Sequence, residues 1–359
     1  MPYVGVGAGF VPPVMSWVIL AALAGGALAL YLLLRHRGRF AAALVVVAVL
    51  TVVGGSVVCV RMTTAVENAG ADIDLAETLD VFSQRAAAPD AEATYTTFDG
   101  KPLQLSIYRP SAAERPAPML VFIHGGGFVA GDRDAHAVDL RWFADRGWLV
   151  MSVDHALSSP DRHLWDVVQP QLGCALAWVS TNAHRYGGDP ARLSLSGDSA
   201  GGNLAINTAY MAANGTLGSS CGGALPKVAA VSVLYPVVDP AGFHDNADPA
   251  IGSTSRGMAA AYTGGSPDEF PQRYAAIASA THLGATAPPT LILFGAADHL
   301  VPTEGTYRFA ELAGAAGVDV ELVAVPYADH VFDARPGSIG QQAYRQLTAQ
   351  WLRDHGQAP

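Results

Sequence analysis

Two stretches near the start of the chain hold no charged residue: 14–34 (VMSWVILAALAGGALALYLLL) and 40–60 (FAAALVVVAVLTVVGGSVVCV). At about 1.5 Å per helical residue each reaches roughly 30 Å, the thickness of a bilayer's hydrocarbon core. RHRGR, residues 35–39, separates them. The pattern predicts a membrane anchor over residues 1–61, with spanning helices at 14–34 and 40–60. An acidic, Ala-rich linker or helix is expected over 62–93.

From residue 94 the periodicity changes. TYTTF, Asp99-Gly100 and LQLSIY read as a hairpin, because Asp-Gly supplies the positive φ of a tight turn. MLVFIH is an unbroken apolar run, the mark of a strand buried on both faces. Predicted helices at 134–146 and 166–183 lead into WLVMSVDH and RLSLSGDS, and a third helix begins near Ser199. VAAVSVLYPVV, TLILFGAAD and VELVAVP follow as strands, and a last helix is expected at about 338–354. Apolar strands alternating with helices mean an α/β domain over 94–359, with a mainly parallel central sheet and helices on both faces. One interval breaks the rhythm. Residues 240–287, rich in Gly, Pro, Asp and Ser, are expected to form a lid insertion.

Half of the 359 residues are hydrophobic and 14% charged, and mean hydropathy is +0.25. The two apolar spans account for this excess, which leaves the rest near zero. Such a composition excludes a disordered chain, a small disulfide scaffold and a collagen-like repeat. Arg35, Arg37 and Arg39 put +3 between the spans. Taken from the chain's −10, they leave −13 on residues 61–359. The positive-inside rule then keeps the short loop in the cytoplasm and both chain ends outside. Membrane lipids are the expected partner of residues 14–60, and the acidic balance of the large domain argues against nucleic acid. Lys101 and Lys227 are the only lysines, a bias typical of GC-rich bacterial genomes. Cys59 lies inside the second span. Cys174 and Cys221, in a domain placed in an oxidising compartment, are candidates for a disulfide.

Gly197-Asp198-Ser199-Ala200-Gly201 fits G-x-S-x-G between a predicted strand and helix. The pattern makes a sharp turn that lifts the serine oxygen clear of the sheet, and Gly197 and Gly201 leave the room it needs. At the end of an earlier strand stands His124-Gly125-Gly126-Gly127-Phe128. Glycines there let main-chain N–H groups turn toward the oxygen of a tetrahedral intermediate. A serine needs a base, and the base an orienting carboxylate. Asp298, after TLILFGAA, and His330, after VELVAVPYAD, take these roles in the order Ser, Asp, His. Asp239 is a rival orienter. Asp329 and Asp333 are expected at the surface or in the lid, His299 is expected to point away, and His124 to brace the glycine loop.

HGGGF, GDSAGG and the Asp and His in matching loops resemble the hormone-sensitive-lipase-like branch of α/β-hydrolase carboxylesterases, over about residues 95–355. The resemblance implies Ser199 as nucleophile, His330 as general base, Asp298 as its orienter, and the N–H groups of Gly126, Gly127 and Ala200 as oxyanion hole. His124, Gly125, Gly197 and Gly201 would support that motif. The chain departs from the branch at Asp154-His155-Ala156-Leu157-Ser158-Ser159-Pro160 and at His330-Val331-Phe332. A small-molecule or lipid ester is the implied substrate. Phe128, Phe243, Met258, Tyr262, Phe270, Tyr274 and Phe332 are candidate lining for an acyl pocket. No metal or redox cofactor is expected, since His244 and Asp245 stand isolated. Two other readings use the same residues. One passes the acyl group to, or removes it from, envelope glycans or lipids; the other is a ligand receptor on an inactive hydrolase fold.

Overall fold

The computed structural model describes residues 11–80, 87–111 and 116–359. Helix α1 (Met15–His36) and helix α2 (Arg39–Asn68) form a hairpin. Small residues bring their backbones together: a Cβ on Gly26 would sit 2.8 Å from that of Ala48, and one on Gly55 2.9 Å from Ile19. Most of the large side chains face outward, with Leu34 74%, Phe40 78% and Leu50 66% exposed. That surface is foreign to a water-facing helix pair.

Helix α2 outruns the span expected to end at residue 60. Met62 and Val66, four apart and so on one face, are buried in the core of the large domain. The chain then runs along the last helix, α10 (Ile339–Asp354). There Gln346 gives and takes a hydrogen bond with the backbone of Asp72, at 2.7 Å each, and Gln342 does the same with Asp74 at 2.8 and 2.9 Å. A single 3-10 turn at Glu77–Leu79 follows. Residues 81–86 of the expected linker lie outside the described residues.

Eight strands make one sheet: β1 (Ala91–Phe98), β2 (Lys101–Tyr108), β3 (Ala117–Ile123), β4 (Leu149–Val153), β5 (Gly188–Asp198), β6 (Val228–Leu234), β7 (Thr290–Gly295) and β8 (Val320–Val325). Their spatial order is β1-β2-β4-β3-β5-β6-β7-β8. The β1–β2 and β2–β4 pairs are antiparallel and all others parallel. Ser152, Phe122, Ser196, Ser232 and Leu291 stand in register across the sheet. On their face pack α10 and α3 (Ala137–Ala144), with Tyr344 bonded to Ser196 and Thr348 to Ser232. Thr290, one residue before Leu291 of that row, points the other way and bonds Tyr210 of helix α5 (Ser199–Asn214) at 2.9 Å. Helix α4 (Val168–Asn182) packs beside α5. Helix α3 begins three residues later than expected, because His136 sits in the left-handed region at φ 60°.

Between β6 and β7, residues 240–287 fold as three short helices: α6 (Pro240–His244), α7 (Gly252–Thr263) and α8 (Pro271–Ile277). Helix α9 (Thr303–Ala315) separates β7 from β8. A Cys174–Cys221 disulfide ties α4 to the loop after α5.

Candidate active site

Strand β5 runs straight into α5, and Ser199 at the junction has φ 53°. A side chain has no room two residues to either side. A Cβ on Gly197 would stand 2.6 Å from the carbonyl oxygens of Gly201 and Ile123, and one on Gly201 would fall on those of Ile123 and His124. Close packing of β3 against this turn therefore supports the strained backbone at Ser199.

His330 lies five residues past β8. Its Nε2 is 3.0 Å from Ser199 Oγ, and its Nδ1 is 2.7 Å from Asp298 Oδ2. The Asp298 side chain is 2% exposed, and its other oxygen accepts from the N–H groups of Leu300 and Val301. Burial pulls the His330 imidazole down, but the Asp298 carboxylate, with Asp198 and Asp329 behind it, outweighs burial and holds it above its ordinary value. The arrangement can take a proton from Ser199 and carry the resulting positive charge.

The glycine loop starts at the end of β3. Gly126 and Gly127 have φ of 107° and 62°, which only glycine adopts freely. Among the described residues, neither N–H bonds a backbone carbonyl. With the N–H of Ala200, at the first turn of α5, they are the available donors beside Ser199. Gly125 N–H donates to Asp198 Oδ1 at 2.7 Å, which fastens the loop to the residue before the serine. His124 donates from Nδ1 to the Gly125 carbonyl at 2.8 Å and stacks on His155 at 4.3 Å. Burial, then the neighbouring His124, pushes the His155 imidazole down to about 3.

The rival carboxylates have other partners. Asp239 caps α6 through Gly242 N–H and pairs with Arg308 at 2.7 Å. Asp329 accepts from the N–H groups of His299 and His330, and pairs with His299 Nδ1 at 2.8 Å. The surface or lid location expected for Asp333 is corrected: its side chain is fully buried and accepts from Tyr235 O–H at 2.6 Å. Asp329 is likewise largely shielded, because Oδ1 accepts from the N–H groups of His299 and His330 and Oδ2 from the His299 ring, which ties the turn after β7 to the loop that carries His330.

Of the candidate acyl-pocket residues, Phe128, Phe243, Tyr262, Tyr274 and Phe332 are buried in the core. Phe128 stacks face to face on Tyr262 of α7 at 4.1 Å. Met258, one turn earlier on α7, lies against Gly127, where a Cβ would meet it. His244 pairs with Asp245 at 2.7 Å. Sequence reasoning missed Tyr235, whose ring lies 4.4 Å from that of His330. It also missed His136, Asp139 and Arg345, all beneath the nucleophile turn. Tyr235 and His136 have positive φ (34° and 60°) that no neighbouring residue announces, and Asp139 and Arg345 sit in ordinary helices.

Sheet order, nucleophile turn and histidine loop together define an α/β-hydrolase. The chain belongs to the BD-FAE family, whose model matches residues 105–312 and so includes Ser199 and Asp298. It is 30% identical to "Carboxylesterase NlhH" of Mycobacterium tuberculosis over 238 residues, 64% of this chain and 70% of that protein. It is 27% identical to "Esterase LipC" of the same species over 234 residues, and there the chain spans only 57% of the relative's length. Among solved structures, a propionate-bound thermophilic esterase, Est2 of Thermogutta terrifontis, superposes with a TM-score of 0.63 at 26% identity. That superposition covers 77% of this chain and 97% of Est2.

Proposed function

We propose that the protein is a serine carboxylesterase or lipase that hydrolyses carboxylic esters at the outer face of a membrane. The observation that carries the reading is the unbroken run from Asp298 through His330 to Ser199, at 2.7 and 3.0 Å. His330 takes the Ser199 proton as Oγ attacks the ester carbonyl. The oxygen that becomes negative rests on the N–H groups of Gly126, Gly127 and Ala200. Collapse breaks the bond to the alcohol, which leaves with the proton from His330. The acyl-serine is then cleaved by water, with His330 as base again. Its relatives bear esterase names, and the sequence motifs resemble the hormone-sensitive-lipase-like branch.

Placement at the membrane rests on two helices long and apolar enough to cross it, almost all of whose surface faces outward. The three arginines of the tight loop favour the cytoplasmic side. The domain, joined to the opposite ends of the helices, then lies outside, where the Cys174–Cys221 disulfide is at home.

The test uses the full chain with a series of p-nitrophenyl esters and a fluorophosphonate probe, beside Ser199→Ala. The wild type should turn over esters and take the label. Ser199→Ala should lose label and about 10⁴-fold or more of kcat, as removal of a nucleophile does in related triads. Wild-type turnover by Ser199→Ala would sink the assignment.

A further inference from the structure

Beneath the nucleophile turn lies a cluster of charged side chains that the mechanism above does not use. His136 is its centre. Its Nδ1 lies 3.3 Å from Asp139 Oδ2 and 3.6 Å from Asp333 Oδ2, and its Nε2 lies 3.8 Å from Asp198 Oδ2. The ring is held between Phe122 of β3 at 5.1 Å and the edge of Tyr344 of α10 at 6.3 Å. Its backbone is left-handed, an uncommon conformation for a residue other than glycine.

The geometry sets the charge. A neutral imidazole has one N–H and one lone pair, and here both nitrogens face carboxylate oxygens. Whichever nitrogen kept its lone pair would turn it toward a negative charge. An imidazolium answers every neighbour. The other charges nearby do not replace it. Arg345 of α10 pairs with Asp139 at 2.7 Å, which leaves Asp198 and Asp333 to share His136. Tyr235 O–H is bound to Asp333, and His124, His155, His330 and Tyr344 are the other titratable groups that feel the Asp198 charge.

Each of these two carboxylates leads to one half of the proposed active site. Asp198 precedes Ser199 and holds Gly125 of the glycine loop. Asp333 sits three residues after His330 and holds Tyr235, whose ring lies against the His330 ring. We propose that His136 is a buried imidazolium and a positioning residue, which ties the nucleophile turn to the histidine loop through Asp198 and Asp333. In agreement, burial opposes a charge on His136, and its carboxylate neighbours outweigh burial and hold it well above its ordinary value. The positioning role rests on the esterase reading of Ser199 and His330; the charge does not.

The first experiment records ring nitrogens of the full-length protein labelled with ¹⁵N at histidine, with the His136 signals assigned by their loss in His136→Gln. Both ring nitrogens are expected to be protonated at pH 8, where a free imidazole (pKa about 6.5) is neutral. A His136 ring with one bare nitrogen at that pH overturns the proposal. Should His136→Gln not fold, Asp333→Asn keeps every ring and assigns His136 by its shifted signals. This readout is independent of turnover, so a failure of the esterase reading, seen as unlabelled Ser199, is told apart from a failure here.

The second experiment measures ester turnover. His136→Gln should lower kcat about tenfold or more while KM stays within about threefold, because the reacting groups are displaced and not the substrate contacts. Asn at 333 removes one buried charge and keeps an acceptor for Tyr235. The double variant His136→Gln/Asp333→Asn should therefore regain about threefold or more in kcat over the single one. Wild-type kcat in His136→Gln, or no recovery in the double variant, overturns the positioning role.

Discussion

Around Ser199 close backbone packing holds the site, whereas around His330 such packing is joined by side chains from distant parts of the chain. The serine turn is wedged between β3 and the start of α5, and carbonyl oxygens of Ile123, His124 and Gly201 fill the space where side chains would grow. The histidine loop is packed against glycines too, since a Cβ on Gly295 would fall on the carbonyl oxygens of Ala328 and Asp329 and one on Gly340 would fall on Phe332, and Val331 sits in the left-handed region at φ 54°. It is also pinned by Asp329 to the turn after β7, by Asp333 to Tyr235, and by Arg335 to the segments that flank the α1–α2 hairpin. That last contact joins Arg335 to the Pro13 carbonyl at 3.2 Å and the Thr78 carbonyl at 2.7 Å. The proposed nucleophile is thus placed by backbone sterics, which tolerate no adjustment, and the proposed base by similar packing together with hydrogen bonds and charge, which yield by degrees. The histidine loop also answers to the helix hairpin, because Arg335 reaches Pro13, two residues before α1, and Thr78, ten residues beyond α2.

Four changes separate these two modes, in falling order of expected effect. Gly201→Ala puts a methyl group onto the carbonyl oxygens of Ile123, the last residue of β3, and His124, just past it. It should cost about 1–3 kcal/mol of stability, a fall of several degrees in Tm, and at least about tenfold in kcat. A thermal melt beside an ester assay checks both, and an undisturbed variant would show that the turn is less tightly wedged than it looks. Next is the protonation of the base. His330 must be neutral to accept a proton, and its value is raised in the folded protein. Activity should therefore be lost at low pH and appear as pH rises, with a kcat/KM midpoint above the ordinary imidazole value of about 6.5.

Asp329→Asn sharpens the same point, because it keeps acceptors for the His299 and His330 N–H groups and removes one of the charges that raise His330. The kcat/KM midpoint should move down by a fraction of a unit, and an upward move would contradict the electrostatic account. The smallest effect is expected at the contact with the helix hairpin. Arg335→Met removes two charge-assisted hydrogen bonds, worth about 1.5–3 kcal/mol each in favourable cases. It should slow turnover a few-fold. Arg308→Met, where the arginine is 68% exposed, should leave turnover unchanged. Equal effects of the two arginine changes would erase the link between hairpin and histidine loop.

Much of the fold was legible from pattern alone. Eight strand segments, their helices and two apolar spans could be marked on the sequence because burial enforces a period, and period is local. The serine turn and glycine loop were legible for a related reason. Their backbone conformations require glycine at set offsets, so the constraint is written in a few neighbouring letters. Helix ends were less so: α2 runs to Asn68 because Met62 and Val66 meet the domain core, and no residue near position 60 announces that contact.

What the tertiary structure decided is the company each charge keeps. Asp239 and Asp298 both follow apolar strands and look alike in sequence, yet one is paired with Arg308 and the other lies against His330. Asp333, expected at the surface, is buried beside Tyr235, and His136 faces three carboxylates from three different segments. A hydrophobic face is set by residues two to four apart, and a glycine by its own φ. A buried ion depends on partners brought from dozens to hundreds of residues away, so its environment exists only once the sheet has closed around it.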